Sequence, residues 1–131
     1  MNYDMNTFRG SINTVMSLIR EKYPCKTIVL MTPIHRAYAC FGGSNVQHDE
    51  LYTNKTGRYF DEYVETVREA ARIWSAELID LCQCSGLYPM NDKNAERYFA
   101  NIEHDRIHPN KNGHERMAKV IMGKMDSIPL F

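Results

Sequence analysis

The sequence has little cysteine and no long apolar run. Its four cysteines are too few to form a disulfide scaffold in a chain of 131 residues, so reduced thiols in a cytoplasmic protein are expected. The longest apolar run, residues 27–33, is far too short to span a bilayer. The first residues show neither the basic start nor the apolar segment of a signal peptide. The sequence therefore predicts a cytoplasmic protein with no membrane partner.

An excess of charge of one sign is also lacking. Lysine plus arginine and aspartate plus glutamate both number 16, so the formal net charge is zero. Like charges do not cluster in blocks, which argues against nucleic acid or an anionic membrane as the main partner. A chain of this length can bury one core, so a single domain over residues 1–131 is expected.

Hydrophobic patterning predicts an α/β protein. Apolar residues at helical spacing predict helices over residues 7–23, 59–75 and 111–125. Apolar runs at 27–33 and 77–81 predict two strands, the first buried on both faces as in a parallel sheet. Right-handed crossovers place the two strands side by side and parallel, with at least one open edge. Two stretches between these elements are expected to be irregular, a long loop over 34–57 and a segment with a helical turn over 85–103.

One short stretch near the C-terminus carries the chemistry. Asp105 lies three residues before His108, and Pro109 follows. A histidine acts as a general base only if a partner fixes its tautomer and stabilises the imidazolium ion. We expect the carboxylate and the imidazole to meet on a loop that ends at the N-terminus of the last helix. An ordinary turn or capping contact is the alternative interpretation of this spacing.

The motif and its surroundings resemble a known family. The pattern Asp105-x-x-His108-Pro109, with Asn110 and Gly113-His114 after it, resembles the last conserved block of the SGNH (GDSL-type) hydrolases. The preceding order of a helix, an apolar strand ending at Thr32-Pro33, a long loop, a helix and a strand ending at Asp80 is similar to the second half of that family.

The resemblance implies both a fold and an activity. The fold would be a truncated flavodoxin-like three-layer α/β/α arrangement, with two parallel strands inside this chain. Members of the family hydrolyse esters, often acetyl groups on sugars or lipid acyl chains, by a Ser-His-Asp mechanism without a metal or organic cofactor. Carried over by position, Asp105 would orient the imidazole and His108 would be the general base.

The chain departs from the family where the nucleophile should be. The Gly-Asp-Ser block that carries the serine and the Gly-x-Asn-Asp block of the oxyanion hole are not found, as though the chain began just past the second. Ser44, between Gly43 and Asn45, is the one candidate stand-in. It lies in a glycine-rich loop, whereas the motif needs a strand-to-helix turn that aims the hydroxyl and backbone amides at one point. We expect this chain alone to be inactive as a serine esterase.

Two further groups of residues have functional interpretations. His35 and Arg36 follow the first strand, on the side where open α/β sheets bind ligands, and are candidate substrate contacts. A salt bridge to a nearby carboxylate is the alternative for Arg36. A zinc site built from Cys82-x-Cys84 with His104 and His108 lacks the two-residue gap usual between paired ligands. No metal is therefore expected.

Two functions remain open at this point. The chain is either the Asp/His-bearing half of an esterase for a small-molecule or saccharide ester, or a non-catalytic α/β module for assembly or interaction. In both cases the open strand edge and the uncovered helix faces should not stay exposed. We therefore expect a homo-oligomer, most simply a two-fold dimer.

Overall fold

The computed structural model describes residues 1–129, which form five helices and six strands. The helices are α1 (Phe8–Lys22), α2 (Phe60–Ile73), α3 (Leu81–Cys84), α4 (Asp92–Tyr98) and α5 (Lys111–Met125). The strands are β1 (Val29–Met31), β2 (Ala39–Cys40), β3 (Val46–Gln47), β4 (Glu77–Ile79), β5 (Phe99–Asn101) and β6 (Asp105–Pro109). The sequence predicts that the apolar tail, residues 128–131, packs on the rest of the chain, and its last two residues lie outside this description. None of the described helices is long and apolar enough to cross a membrane.

The three long helices begin and end at local signals. Thr7 caps α1 by accepting a hydrogen bond from the Gly10 amide, and Pro24 follows closely because proline cannot continue a helix. Asn110 caps α5 by accepting from the Gly113 amide. These helices lie within about two residues of their predicted bounds, because caps and apolar stripes are local features of the sequence.

The two predicted strands form the predicted parallel pair. β1 and β4 pair in parallel, with Val29 opposite Glu77 and Met31 opposite Ile79, and α2 packs against both strands. The expectation that β1 is buried on both faces was wrong. Met31 is 43% exposed, because β1 has a strand neighbour on only one of its edges within the described residues.

A second sheet was missed by the sequence reasoning. Four strands form an antiparallel sheet in the order β3-β2-β6-β5. The long loop expected over 34–57 therefore contains two short strands, and the irregular segment over 85–103 contains α4 and β5. The turn between β2 and β3 uses Gly42 and Gly43, both with positive φ angles, a backbone region that glycine enters without steric cost.

The ends of β1 and β4 are joined by one polar cluster. Thr32 donates its hydroxyl to Asp80 Oδ1 at 3.0 Å and accepts the Cys82 amide at 3.0 Å. Asp80 also accepts from the Gln83 amide at 3.1 Å, so it caps α3, and from Arg68 Nε at 2.7 Å. Burial opposes ionisation of Asp80, but the hydrogen bonds from Arg68, Gln83 and Thr32 outweigh it and lower the pKa of the carboxyl group.

The core lies beside this cluster. Its largest fully buried side chains come from α1, α2, β4 and the segments that follow the two parallel strands. The largest are Met16, Thr32, Val64, Ile79, Ser85, Leu87 and Pro89. Together with the polar cluster, they fix the carboxyl ends of β1 and β4, from which the candidate site residues extend.

Candidate functional site

Asp105 and His108 contact each other across a tight turn of the backbone. His108 Nδ1 lies 2.9 Å from Asp105 Oδ2. The other carboxylate oxygen, Oδ1, accepts the backbone amides of Ile107 and His108, each at 3.0 Å. One carboxylate thus holds both the imidazole and the peptide that carries it. The pair lies on β6, so the expectation of a loop was wrong, whereas the helix that follows Pro109 begins where predicted.

The two side chains differ in exposure. The Asp105 side chain is 17% exposed and that of His108 is 67% exposed. Burial opposes ionisation of Asp105, but the hydrogen bonds from the His108 and Ile107 amides and from the imidazole outweigh it and lower the pKa of this carboxyl group. An ionised Asp105 favours the tautomer with hydrogen on Nδ1. The lone pair of Nε2 is then left for another proton donor.

The strand that carries the pair is held on both sides. Ala39 of β2 pairs with Asp105, and the Cys40 amide donates to the His104 carbonyl at 2.9 Å. Phe41, at the end of β2, meets the His108 ring edge-on, with 5.8 Å between ring centroids. The hairpin of β2 and β3 therefore lies directly beside the imidazole.

Two partly buried polar side chains, of Arg106 and Asn110, hold the strand from its other side. The Arg106 guanidinium donates to the carbonyls of Ile102 and Pro89 at 2.7 and 3.0 Å. The side-chain nitrogen Nδ2 of Asn110 donates to the Arg97 and Phe99 carbonyls, both at 3.0 Å. The turn of Asp105 and His108 is thus anchored to α4 and β5 as well as to β2.

His35 and Arg36 do not join this pair. His35 Nδ1 lies 2.6 Å from Glu50 Oε1, and its Nε2 lies 3.4 Å from the sulfur of Cys82. The Arg36 guanidinium donates to the side-chain amide oxygen of Gln47 at 2.6 Å. It is the Arg36 backbone amide, not the guanidinium, that meets a carboxylate, Glu50 Oε2 at 3.0 Å. The salt bridge that was the alternative interpretation of the Arg36 side chain is therefore not formed with any described residue.

Ser44 lies in the turn between β2 and β3 and does not contact His108. Its carbonyl accepts from the Val46 amide at 2.9 Å, and the residue is exposed. It lines a cavity of about 620 Å³ together with Arg36 and residues of the following loop, but neither Asp105 nor His108 lines that cavity. Among residues 1–129, no serine hydroxyl forms a hydrogen bond with the His108 ring.

The zinc arrangement weighed from the sequence is not assembled. Cys82 is buried against His35, whereas Cys84 and His104 are exposed. The described part of the chain contains no group of three or more histidine, cysteine, aspartate or glutamate side chains placed to hold a metal ion. The contacts of His35 with Glu50 and Cys82 were not foreseen, because their partners lie far away in the sequence and form no motif.

Several solved structures have a fold similar to that of this chain. A structural-genomics target from Lactobacillus plantarum is 23% identical, with a TM-score of 0.81, over 98% of this chain and 58% of that one. A candidate GDSL-like lipase from Parabacteroides merdae is 21% identical, with a TM-score of 0.62, over 92% and 49%. A possible lipase from Chitinophaga pinensis is 19% identical, with a TM-score of 0.59, over 92% and 61%.

No protein-family model matches the sequence, and no curated protein matches it. The chain spans about half to three fifths of the length of these structures. At these identities the likeness concerns the fold, and it agrees with the expectation of two parallel strands flanked by helices. This chain therefore shares the fold of part of each of these structures, which include a candidate GDSL-like lipase and a possible lipase.

Proposed function

We propose that this chain supplies the general-base half of an SGNH-type ester hydrolase. The observation that carries the proposal is the braced imidazole. Asp105 holds His108 Nδ1 at 2.9 Å, while the ring is two-thirds exposed and its second nitrogen remains available. A fixed tautomer with an exposed second nitrogen is the arrangement that a general base requires.

The proposed mechanism follows from this geometry. A serine from outside residues 1–131 gives its hydroxyl proton to His108 Nε2 as its oxygen attacks the acyl carbon. The imidazolium ion, stabilised by Asp105, then returns the proton to the leaving alcohol. Water repeats the two steps and releases the acid. The substrate class is a small-molecule or saccharide ester of an acetyl or longer acyl group.

The exposure of His108 indicates what the complementary half must provide. It has to supply the nucleophile, cover the imidazole and contribute oxyanion-hole donors. One such donor is worth about 3 kcal/mol of transition-state stabilisation. Residues 1–131 alone are therefore expected to show no His108-dependent ester turnover.

The test is to restore the missing half. The DNA directly before Met1, or an adjacent gene, should encode a Gly-Asp-Ser and a Gly-x-Asn-Asp block. We expect the polypeptide encoded there, co-expressed with this chain, to hydrolyse p-nitrophenyl acetate and to label on serine with a fluorophosphonate probe. His108→Ala should abolish turnover, and His104→Ala, at an exposed histidine nearby, should not. Turnover that survives His108→Ala would refute the proposal.

The alternative is a non-catalytic assembly module, and a separate observation favours it. Val15 and Leu18 on α1 are 52% and 60% exposed, and β1 has one edge without a described strand partner. Such apolar surface is typical of an interface. A stable complex with the complementary half that binds tightly but hydrolyses no ester would support this function over the enzymatic one.

A further inference from the structure

A cysteine, a histidine and a carboxylate form a continuous hydrogen-bonded chain apart from the Asp105–His108 pair. Cys82 Sγ lies 3.4 Å from His35 Nε2, and His35 Nδ1 lies 2.6 Å from Glu50 Oε1. The Cys82 residue is 9% exposed, and the Glu50 and His35 side chains are 10% and 27% exposed. A thiol, an imidazole and a carboxylate are thus in contact in a largely buried cluster.

The Cys82–His35–Glu50 cluster lies at the end of the parallel strand pair where open α/β sheets bind ligands. His35 follows β1 and Cys82 follows β4, so both extend from the carboxyl ends of the two parallel strands, where open α/β sheets bind ligands. The Cys82 backbone is fixed by the Thr32 hydroxyl at 3.0 Å. The Tyr88 ring meets the His35 ring edge-on, with 5.4 Å between centroids. The thiol and the imidazole are therefore held by rigid parts of the fold.

The hydrogen-bond directions fix the role of each group. The carboxylate of Glu50 can only accept, so it favours hydrogen on His35 Nδ1 and leaves the Nε2 lone pair facing the thiol. We propose that Cys82 is a thiol nucleophile that accepts an acyl group from an activated ester, with His35 as its general base and Glu50 as the group that orients His35. This centre is independent of the function proposed above for Asp105 and His108.

The reaction balances without a further reactant. The thiol proton moves to His35 Nε2 while the sulfur attacks the carbonyl carbon and forms a C–S bond. The C–O bond to the alcohol then breaks, and the alcohol leaves with the proton that His35 held. The products are a thioester on Cys82 and the free alcohol, and no group is oxidised or reduced.

The surroundings of the sulfur set the character of this reaction. Burial, followed by the nearby charge of Glu50, raises the pKa of the Cys82 thiol to about 11. The thiol is thus neutral at rest at physiological pH, and attack depends on transfer of its proton to His35. The Cys82 amide is already bonded to Thr32 and cannot serve as an oxyanion donor, so we expect one acylation event rather than rapid turnover.

The test uses the whole chain and p-nitrophenyl acetate, with peptide mapping by mass spectrometry. Cys82 should acquire one acetyl group that neutral hydroxylamine removes, and this should also occur in His108→Ala. The variants His35→Gln and Cys84→Ser should keep the fold, so Cys25 should be as exposed in both as in the original protein. In His35→Gln the rate at Cys82 should fall roughly 100-fold, the scale of general-base catalysis, while the exposed Cys25 reacts at its original rate. Cys84→Ser should leave the rate at Cys82 unchanged.

The proposal would be overturned by a Cys82 that stays unacetylated in the folded chain, or by a rate at Cys82 that His35→Gln leaves unchanged or increases. Glu50→Gln provides a second variant, expected to slow acetylation less than His35→Gln because the base itself remains. A Cys82 that reacts faster in both variants would show that the contacts merely shield the sulfur. Because His108→Ala is a separate arm, a failure of this centre is distinguishable from a failure of the Asp105–His108 proposal.

Discussion

Thr32 Oγ1 and Asp80 Oδ1, 3.0 Å apart, join the carboxyl ends of the two parallel strands. The bond matters because the parallel pair is only two strands wide in the described part of the chain, and narrow sheets have little stability of their own. Asp80 also caps α3 and pairs with Arg68. A single carboxylate therefore links β1, β4, α2 and α3.

Removing this charge should destabilise the fold. In Asp80→Asn the Arg68 guanidinium, 28% exposed in its side chain, loses the more buried of its two ionic partners and keeps only Glu65, which is 57% exposed. We expect the free energy of unfolding to fall by about 1–3 kcal/mol, measured by urea denaturation at neutral pH. The matched control is Asp92→Asn, which removes a carboxylate from Arg106 at a position 78% exposed and should cost less than about 1 kcal/mol. Equal losses in the two variants would contradict the prediction.

The lowered pKa values of Asp80 and Asp105 predict an acid-sensitive fold. A carboxyl group with a lower pKa in the folded than in the unfolded state adds stability above its unfolded pKa. That stability is lost as the pH falls through the folded pKa. We expect the urea midpoint to be steady above about pH 5 and to decline below about pH 4. Asp80→Asn should flatten the decline, and an equally steep decline in that variant would show that Asp80 is not involved.

Two glycines of α5 should respond in opposite directions to alanine. A Cβ on Gly113 would collide with the Tyr98 carbonyl, whereas a Cβ on Gly123 would meet no atom within 4 Å. Gly113→Ala should therefore cost about 1–3 kcal/mol of unfolding free energy. Gly123→Ala should gain up to about 1 kcal/mol, because alanine favours a helix interior over glycine. Thermal unfolding of the two variants measures both, and a neutral Gly113→Ala would mean that α5 does not approach the end of α4 as described.

Asp105→Asn separates the orienting role of this residue from its structural role. An asparagine can still accept the two backbone amides, so the β6 turn should persist, but it no longer stabilises an imidazolium ion. In the completed enzyme we expect kcat to fall by roughly 10⁴-fold, as in the triad template, with only a small fall in the melting temperature of this chain, from the loss of the ionised carboxyl group. Loss of the fold along with activity would instead assign Asp105 a mainly structural role.

The chain on its own should form a homo-oligomer. The exposed Val15 and Leu18 of α1 and the half-exposed Met31 of β1 are the surfaces that a second copy would cover. Multi-angle light scattering should give twice the monomer mass, and Leu18→Glu should shift the protein toward the monomer. Glu21→Gln, at an exposed position of the same helix, should leave the mass unchanged. A monomer at high concentration would refute the expectation.

The parts of this fold that sequence reasoning found are those with local causes. The cap at Asn110 and the stop at Pro24 lie next to the helices they bound. The contact of Asp105 with His108 spans three residues, so its spacing alone suggested it. The two parallel strands are each marked by a local apolar run, and the handedness of crossovers, which holds across folds, then predicts that they pair.

The missed parts depend on residues that are distant in the sequence. β2 is two residues long, too short for an alternating pattern, and its pairing with β6 brings Ala39 to Asp105. The partners of His35 are Glu50 and Cys82, which lie in different segments. Such contacts exist only once tertiary structure forms, and no propensity of the individual segments encodes them.

The hairpin beside His108 has a consequence for how this protein can diverge. In the described residues β6 belongs to a different sheet from β1 and β4. Phe41, which directly precedes Gly42 in the turn between β2 and β3, contacts the imidazole. Lengthening or shortening that turn would redirect the ring without disturbing the parallel strands. Sequence changes in the turn between β2 and β3 can therefore alter which molecules reach the imidazole, with little effect on the stability of the fold.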